Sequence, residues 1–343
     1  MNPLIVLAVA LIGFATALFV TPYVRRLALN VGMLDATGER RMHDQPKPRI
    51  GGIAVYLGFA FALFSALGYL IQTGQFTAGR HLHDDLANFH DIIGLIFGGT
   101  LILVVGIWDD VMGMSPRAKL IAQTLVACIS MLYGFVIPGF VTNPVHPHGP
   151  PLFIPAWLQY VLTLLWYVGM MNAINFIDGL DGLLSGVTVI SAISLIVIDL
   201  NRGHPEIALV LAALAGAALG FLRYNWNPAK IILGDSGALF IGYVFATVSI
   251  IGVSKTAFAI SLLVPLVVLG LPVIDTAAAI VRRTRAGKKF YEADRGHFHH
   301  QLIFRFGLNV RQAVLLIYVV CIALGVLALI LTGGVGALKI ALR

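Results

Sequence analysis

The chain has 343 residues, of which 59% are hydrophobic and only 11% are charged, and its mean hydropathy is +0.91. Because soluble domains contain roughly 25% charged residues, this composition excludes an ordinary soluble protein and indicates a polytopic membrane protein. The net charge of +7 is not accompanied by a basic and aromatic surface for single strands, so no nucleic-acid partner is expected.

Ten apolar stretches are long enough to cross the roughly 30 Å hydrocarbon layer of a bilayer. They lie near residues 3–24, 51–72, 91–108, 118–138, 156–176, 183–200, 206–223, 236–254, 256–281 and 312–332. These stretches predict an all-α polytopic integral membrane protein, with about ten transmembrane helices in a single domain over 1–343. Residues 333–343 are expected to be too short for an eleventh span.

Lysine and arginine are shared unevenly between alternate loops. One set of loops carries 18 of the 23 basic residues, and the positive-inside rule places that set in the cytoplasm. The cytoplasmic loops are expected near 25–50, 109–117, 177–183, 223–235 and 282–311. Both termini are then extracytoplasmic, in a multi-pass protein of the cytoplasmic (inner) membrane.

Five carboxylates lie at the cytoplasmic ends of apolar stretches: Asp109, Asp110, Asp178, Asp181 and Asp235. A carboxylate at membrane depth costs roughly 2.5–3.5 kcal/mol on insertion scales, so this group implies a compensating cation or substrate. The adjacent pair Asp109-Asp110 favours an Mg²⁺ ion that also holds phosphate, because Mg²⁺ usually takes only one or two protein carboxylates. A solvated acidic helix end near Arg117 and Lys119 is the alternative.

The stretch Gly234-Asp-Ser-Gly237 stands at the start of the eighth predicted helix. Glycines on both sides of Asp235 let a ligand approach the backbone closely, and the N-terminal amides of a helix attract phosphate. These features predict a phosphate-binding turn. An ordinary aspartate cap with glycine in the turn is the alternative.

The stretch from Asn172 to Gly182 reads Asn-Ala-Ile-Asn-Phe-Ile-Asp-Gly-Leu-Asp-Gly. Asn172 and Asn175 share one helix face, and Asp178 and Asp181 then stand before glycines in a short turn. Amide and carboxylate groups concentrated in this way predict recognition of a nucleoside and a sugar.

Two basic loops predict contacts with anions. Lys47 and Arg49 precede the glycine pair that opens the second helix, and Asp294-Arg-Gly-His-Phe-His-His300 lies in the last cytoplasmic loop. For the histidine loop, a transition-metal site and a loop that only sets topology are the alternatives.

These motifs occur in one order and on one face, and together they resemble the polyprenyl-phosphate N-acetylhexosamine-1-phosphate transferases of glycosyltransferase family 4. The resemblance extends over nearly the whole chain. Leu271-Pro-Val-Ile-Asp275, Arg282-Arg283 and the histidine loop are similar to the branch that uses UDP-N-acetylglucosamine. The other branch uses UDP-N-acetylmuramoyl-pentapeptide and typically has three consecutive histidines, which this chain lacks.

The resemblance implies roles for individual residues. Asp109 and Asp235 would bind Mg²⁺, with Mn²⁺ as a substitute, and Asp110 would handle the proton of the lipid phosphate. Asp178 and Asp181 would bind or orient the nucleotide-sugar. Further substrate contacts are implied for Asn172, Asn175, Asn225, Lys47, Arg49, Arg295, His297, His299 and His300.

The expected reaction is attack of a polyprenyl (undecaprenyl) phosphate on a UDP-sugar delivered from the cytoplasm, with release of UMP. The product would be a lipid-linked precursor of glycans such as O-antigen or teichoic acid. One displacement or two through a covalent intermediate, and association into a homodimer, are left open. An ion-coupled secondary transporter is the rival from another class, but the acids gather at one interface rather than at the midplane.

Overall fold

The computed structural model describes residues 3–35, 46–73, 82–141, 152–255, 267, 269–285 and 298–332. The helices are α1 (Pro3–Val31), α2 (Gly52–Gln72), α3 (Leu82–Met112), α4 (Pro116–Leu132), α5 (Ala156–Ile177), α6 (Leu183–Asn201), α7 (Pro205–Asn225), α8 (Gly234–Lys255), α9 (Gly270–Arg285), α10 (Phe298–Phe304) and α11 (Val310–Leu331). Two short antiparallel pairs join β1 (Leu34–Asp35) to β2 (Lys47–Pro48) and β3 (Phe140–Val141) to β4 (Leu152–Phe153).

Eight of the described helices are long and apolar enough to cross a membrane. They are α1, α2, the His90–Met112 part of α3, α5, α6, α7, α8 through Gly252, and α11. The predicted all-α, multi-pass membrane architecture is therefore confirmed. The predicted span at 118–138 corresponds to the 17-residue α4. Much of the predicted span at 256–281, and all of 333–343, lie outside the described residues, so the number of ten and the side of each terminus stay predictions.

Helices α7 and α8 lie in the middle of the bundle. α7 packs against α1, α2 and α6, whereas α8 packs against α2, α3 and α5. α7 is rich in alanine and glycine, and its Gly216 meets the backbone of Ala10 in α1. In lipid the hydrophobic effect does not drive helices together, so small residues that allow close approach provide the association.

We expect Gly216→Ala to destabilise the bundle by about 1–3 kcal/mol, because a methyl group there would overlap the Ala10 carbonyl and force α1 and α7 apart. Gly68→Ala in α2 is the matched control, since a methyl group at that position meets nothing within 4 Å. Thermal unfolding in detergent measures both variants. Equal melting temperatures for the two would show that the close α1–α7 contact does not limit stability.

The start of α2, the end of α3, the end of α5 and the start of α8 meet at one place. The loop before α2 is joined to the loop before α8, because Gly51 N and Gly52 N donate to the carbonyls of Ile232 and Leu233 at 3.1 and 2.9 Å. A side chain on Gly52 would overlap the backbone of Gly237 in α8. These contacts bring the segment before α2 and the turn that opens α8, which are far apart in sequence, to a single site.

Candidate active site

Lys119 stands at the centre of the site, in the first turn of α4. This helix begins where it does because Ser115 is its N-cap, with the hydroxyl accepting from Ala118 N at 3.2 Å, and Pro116 occupies the first position. α3 ends just before, where Gly113 adopts a left-handed φ of 70°. The short connection turns Lys119 back toward the end of α3.

The Lys119 ammonium contacts three oxygen atoms from three different helices. Its Nζ lies 2.9 Å from Asp109 Oδ2, 2.6 Å from Asp235 Oδ1 and 3.2 Å from Asn175 Oδ1. Asn175 Nδ2 also donates to Asp235 Oδ1 at 2.5 Å. We call Lys119, Asp109, Asn175 and Asp235 the lysine cluster. α3, α4, α5 and α8 thus converge on a single positive charge.

The lysine cluster suits a divalent cation. Two carboxylates and an amide present oxygen atoms toward one point, which the ammonium occupies, and oxygen is the donor that Mg²⁺ prefers. Among the described residues, no group of three or more His, Cys, Asp or Glu side chains could hold a metal, so phosphate and water would have to complete the shell. The predicted pair Asp109 and Asp235 does lie together, with Lys119 between them.

Asp110 has a different position from its neighbour Asp109. Its two oxygens accept from the main-chain N–H groups of Asp235 and Ser236, at 2.9 and 3.0 Å. Its side chain is fully buried, and Arg49 lies 3.3 Å from its Oδ1. Asp110 therefore caps α8 from a neighbouring helix and fixes the orientation of Asp235. Its implied proton-handling role stays a prediction.

Neighbouring protein atoms pack closely against the glycines at the start of α8. Gly234 has a φ of 77°, and a side chain there would overlap the Asp110 carboxylate. Gly237 lies against Leu233 and the Gly52 backbone. Asp110 takes the amides of Asp235 and Ser236, and the glycines allow close approach of neighbouring elements. Binding of phosphate at this turn stays a prediction.

Arg49 contacts both Asp110 and Asp235, with its guanidinium 3.5 Å from Asp235 Oδ2. The next residue, Ile50, is buried and has a φ of 68°. A left-handed β-branched residue costs about 1–3 kcal/mol and persists only where the surroundings fix it. The pairing of this loop with the loop before α8 provides that constraint and holds Arg49 against the acids.

Asp181 forms a second anionic centre with Lys47. Its Oδ2 accepts from Lys47 Nζ at 2.7 Å, from Asn227 Nδ2 at 3.0 Å and from Ala229 N at 3.0 Å. The carboxylate is almost completely buried. It therefore ties the turn after α5 to the loop after α7, with Lys47 as its counter-ion.

Asp178 lies in the turn after α5, between these two centres. Burial raises the pKa of its carboxyl group to about 8, and the negative charges of Asp235 and Asp110 act in the same direction. Asp178 is therefore predominantly protonated at neutral pH when no further cation is present. A protonated carboxyl group donates a hydrogen bond, which suits a substrate oxygen.

Asp178 should make the protein less stable as pH rises. The unfolded side chain ionises near pH 4, whereas the folded one keeps its proton up to about pH 8. Stability therefore falls between these values and levels off above them. In metal-free buffer at pH 8.5, Asp178→Asn should melt about 2–5 °C above the unsubstituted protein. At pH 4.5 the two proteins should have the same melting temperature. An equal melting difference at both pH values would contradict the raised pKa.

Two predicted substrate contacts are used in packing. Asn172 donates to Gln123 Oε1 at 2.7 Å and to the Val168 carbonyl at 2.8 Å. Asn225 is buried; its oxygen accepts from Gly182 N and Ser185 Oγ, and its nitrogen donates to the Ile231 carbonyl. Direct contact of Asn172 and Asn225 with substrate stays a prediction.

The histidine loop lies largely outside the described residues. Arg295 and His297 are not described, and for His299 and His300 only the backbone in α10 is. The start of α10 is held by Asp275, whose Oδ1 accepts from Phe298 N at 2.9 Å. The loop is therefore attached to α9, which contacts α5.

Sequence reasoning did not assign functional roles to Lys119 and Asn227. The sequence indicates Lys119 only as a counter-charge near a solvated helix end, and Asn227 lies in a loop without a recognisable motif. The available signal for Lys119 was its place one turn after the cap sequence Ser115-Pro116, close behind the Asp109-Asp110 pair. Such a lysine is directed back at the preceding helix end.

Comparison with known proteins agrees with this geometry. The family described as "Glycosyl transferase family 4" matches residues 92–253. A probable undecaprenyl-phosphate N-acetylglucosaminyl 1-phosphate transferase of Bacillus subtilis is 34% identical over 94% of this chain and 83% of its own length. A decaprenyl-phosphate N-acetylglucosaminephosphotransferase of Mycolicibacterium smegmatis is 35% identical over 90% of this chain and 78% of its own.

An undecaprenyl-phosphate alpha-N-acetylglucosaminyl 1-phosphate transferase of Escherichia coli is 28% identical over 86% of this chain and 75% of its own length. The chain is thus a membrane glycosyltransferase by fold and similarity. It belongs to glycosyl transferase family 4 and is similar to the relatives that are named for N-acetylglucosamine-1-phosphate transfer, as the sequence motifs predicted.

Proposed function

We propose that the protein transfers N-acetylglucosamine-1-phosphate from UDP-N-acetylglucosamine to a polyprenyl phosphate such as undecaprenyl phosphate, and releases UMP. The lysine cluster is the observation that carries this proposal, because it gathers a cation and oxygen atoms that suit a divalent metal where four helices converge. Relatives that are named as undecaprenyl-phosphate N-acetylglucosaminyl 1-phosphate transferases support it. The site would face the cytoplasm of the inner membrane, where UDP-sugars are available.

In the proposed reaction, a phosphate oxygen of the lipid forms a bond to the β-phosphorus of the UDP-sugar. The bond from that phosphorus to the bridging oxygen breaks, and UMP leaves with the bridging oxygen and its electron pair. The attacking oxygen is already ionised near neutral pH, so proton removal contributes little. Positioning and charge neutralisation are the main needs of phosphoryl transfer.

The protein's own groups meet these needs in distinct ways. Lys119 and Arg49 present positive charge beside the place where the phosphates would meet. Asp110 holds the start of α8, so that Asp235 keeps its position. Lys47 and Asp181 lie where the nucleotide would bind, and protonated Asp178 would donate a hydrogen bond to a phosphate or sugar oxygen.

Asp109, Asp235 and Asn175 would hold the Mg²⁺ ion, and Mn²⁺ could replace it. When bound, the ion supplies charge neutralisation for phosphate oxygens. Within the described part of the site, Asp178 is protonated, and four carboxylates face three cations: Asp109, Asp110, Asp181 and Asp235 against Lys47, Arg49 and Lys119. A divalent cation offsets this excess of negative charge.

A groove between α5 and α9 suits the polyprenyl tail. It has a volume of about 250 Å³ and is lined mainly by apolar side chains, among them Trp166, Met170 and Ala173 of α5 and Ile280 of α9. Ala173 lies two residues before Asn175. The groove therefore ends within one turn of Asn175 along α5, although Ala173 and Asn175 point to different sides of the helix. A tail that follows the groove to this end of α5 would have its phosphate at the level of the lysine cluster while the chain stays in lipid.

UMP release by purified protein tests the proposal. With undecaprenyl phosphate and Mg²⁺, we expect turnover of UDP-N-acetylglucosamine and none of UDP-N-acetylmuramoyl-pentapeptide, and EDTA should abolish it. Turnover of the pentapeptide substrate alone would assign the protein to the peptidoglycan branch. A folded protein that turns over neither substrate would overturn the proposal and favour another UDP-sugar or a transporter.

A further inference from the structure

Helix α11 contacts both backbone segments that hold Asp181. The Tyr318 hydroxyl donates to the carbonyl oxygen of Gly182 at 2.5 Å, and Gly182 directly follows Asp181. About two turns nearer the start of α11, Arg311 Nε donates to the carbonyl of Asn227 at 3.0 Å. Asn227 in turn donates to Asp181. α11 therefore contacts the residue that follows Asp181 and also the residue that donates to its carboxylate.

The Tyr318 side chain crosses α6 at a glycine, where no side chain blocks its path. The ring lies directly against Gly186, where any Cβ atom would overlap the ring and the hydroxyl oxygen. Its other neighbour is the ring of Trp226, with centroids 6.3 Å apart. Tyr318 thus passes across α6 through a space that only glycine leaves, and reaches the Gly182 carbonyl.

Both backbone polar groups of Gly182 are hydrogen-bonded to side chains in this arrangement. Gly182 has a φ of 79° and caps α6, its N–H donates to Asn225 Oδ1, and its carbonyl accepts from Tyr318. Side-chain groups from α7 and α11 thereby set the direction of the chain between Asp178 and α6. Because protein side chains are the hydrogen-bond partners of both backbone groups of Gly182, loss of either one leaves a polar group to be satisfied elsewhere.

We propose that Tyr318 is a positioning residue that holds the Asp178–Gly182 turn in the geometry for binding the nucleotide-sugar. Gly186 provides the space for Tyr318, and Arg311 braces the facing loop. The inference rests on the proposed function for its substrate. Tyr318 acts through the turn and does not itself contact the reacting groups, so its removal affects binding of the nucleotide-sugar more than the chemical step.

Tyr318→Phe should raise KM for UDP-N-acetylglucosamine about fivefold to tenfold, the effect of one lost hydrogen bond. The value of kcat and KM for undecaprenyl phosphate should change by less than about twofold. Gly186→Ala displaces the ring and should give the same pattern. Tyr243→Phe is the matched control, because that buried hydroxyl bonds Ser130 away from the turn, and its KM values should not change.

Hydrogen exchange of the backbone provides a readout that does not depend on activity. Amides of the Asp178–Gly186 segment should exchange faster in Tyr318→Phe and Gly186→Ala than in Tyr243→Phe. A wild-type protein without UMP release would overturn the proposed function while leaving this exchange test in force. Unchanged exchange in the turn, or equal falls in kcat for Tyr318→Phe and Tyr243→Phe, would overturn the positioning role.

Discussion

Asp235→Asn should lower UMP release by about 100- to 1,000-fold, with little loss of folded protein. Asp235 is the acid that both Lys119 and Arg49 contact, and Asn175 donates to the same oxygen as Lys119. Asparagine keeps the size of the side chain but removes the charge. Two cations and a metal-binding oxygen therefore lose their common partner, while the cap from Asp110 to the backbone of α8 remains.

The matched control is Asp199→Asn, which replaces another buried acid at the far end of α6. It should retain at least about half of the activity, since it touches none of the groups in the site. Activity over a series of Mg²⁺ concentrations separates the explanations: weaker metal binding would be overcome partly by high Mg²⁺, whereas lost positioning would not. Activity in Asp235→Asn above about one tenth of the unsubstituted level would show that the Asp235 carboxylate is not required for the reaction.

The membrane architecture was predictable because a helix in lipid must be apolar along its whole length. Eight spans follow directly from this requirement. α4 is harder to predict because its first turn is polar: Arg117 and Lys119 stand at its start, and Leu132 ends it after only 17 residues. Hydropathy alone extends this element to 138, although the helix ends where Gly134 adopts a φ of 85°.

The acids of the site were predictable because carboxylates at the ends of apolar helices need a reason to be there. Their separate roles were not predictable, because adjacent residues on a helix point in different directions. Asp109 turns toward Lys119, whereas Asp110 turns toward the start of α8. No sequence pattern within one helix shows which of two neighbouring acids meets a partner 125 residues away.

The start of α8 shows how tertiary packing adds to a local argument. Glycines and free amides at a helix N-terminus do attract anions, and the prediction named phosphate as the anion. The structure supplies Asp110 from α3 at these amides. A protein carboxylate and a phosphate satisfy the same amides equally well in principle, so tertiary packing decides between them.

Lys119→Met should lower UMP release by about 100- to 1,000-fold and, at the same time, increase the affinity of the substrate-free protein for Mn²⁺. The ammonium stands where Asp109, Asn175 and Asp235 converge, so it competes with a divalent ion for their oxygens. Methionine has a similar length without the charge. The variant should therefore bind the ion more readily but lack the positive charge that helps to hold the phosphates.

Mn²⁺ binding can be followed by paramagnetic resonance of the free ion, and UMP release gives the activity. Lys230→Met is the matched control because that side chain is exposed in the loop after α7, and it should change neither quantity. Tighter Mn²⁺ binding with normal turnover would show that Lys119 occupies the metal position in the substrate-free protein but does not contribute to the reaction. Reduced turnover with unchanged Mn²⁺ affinity would instead place the ion away from the lysine cluster. Only the combined result supports a site in which the ion displaces Lys119 from the carboxylates and leaves it to bind phosphate.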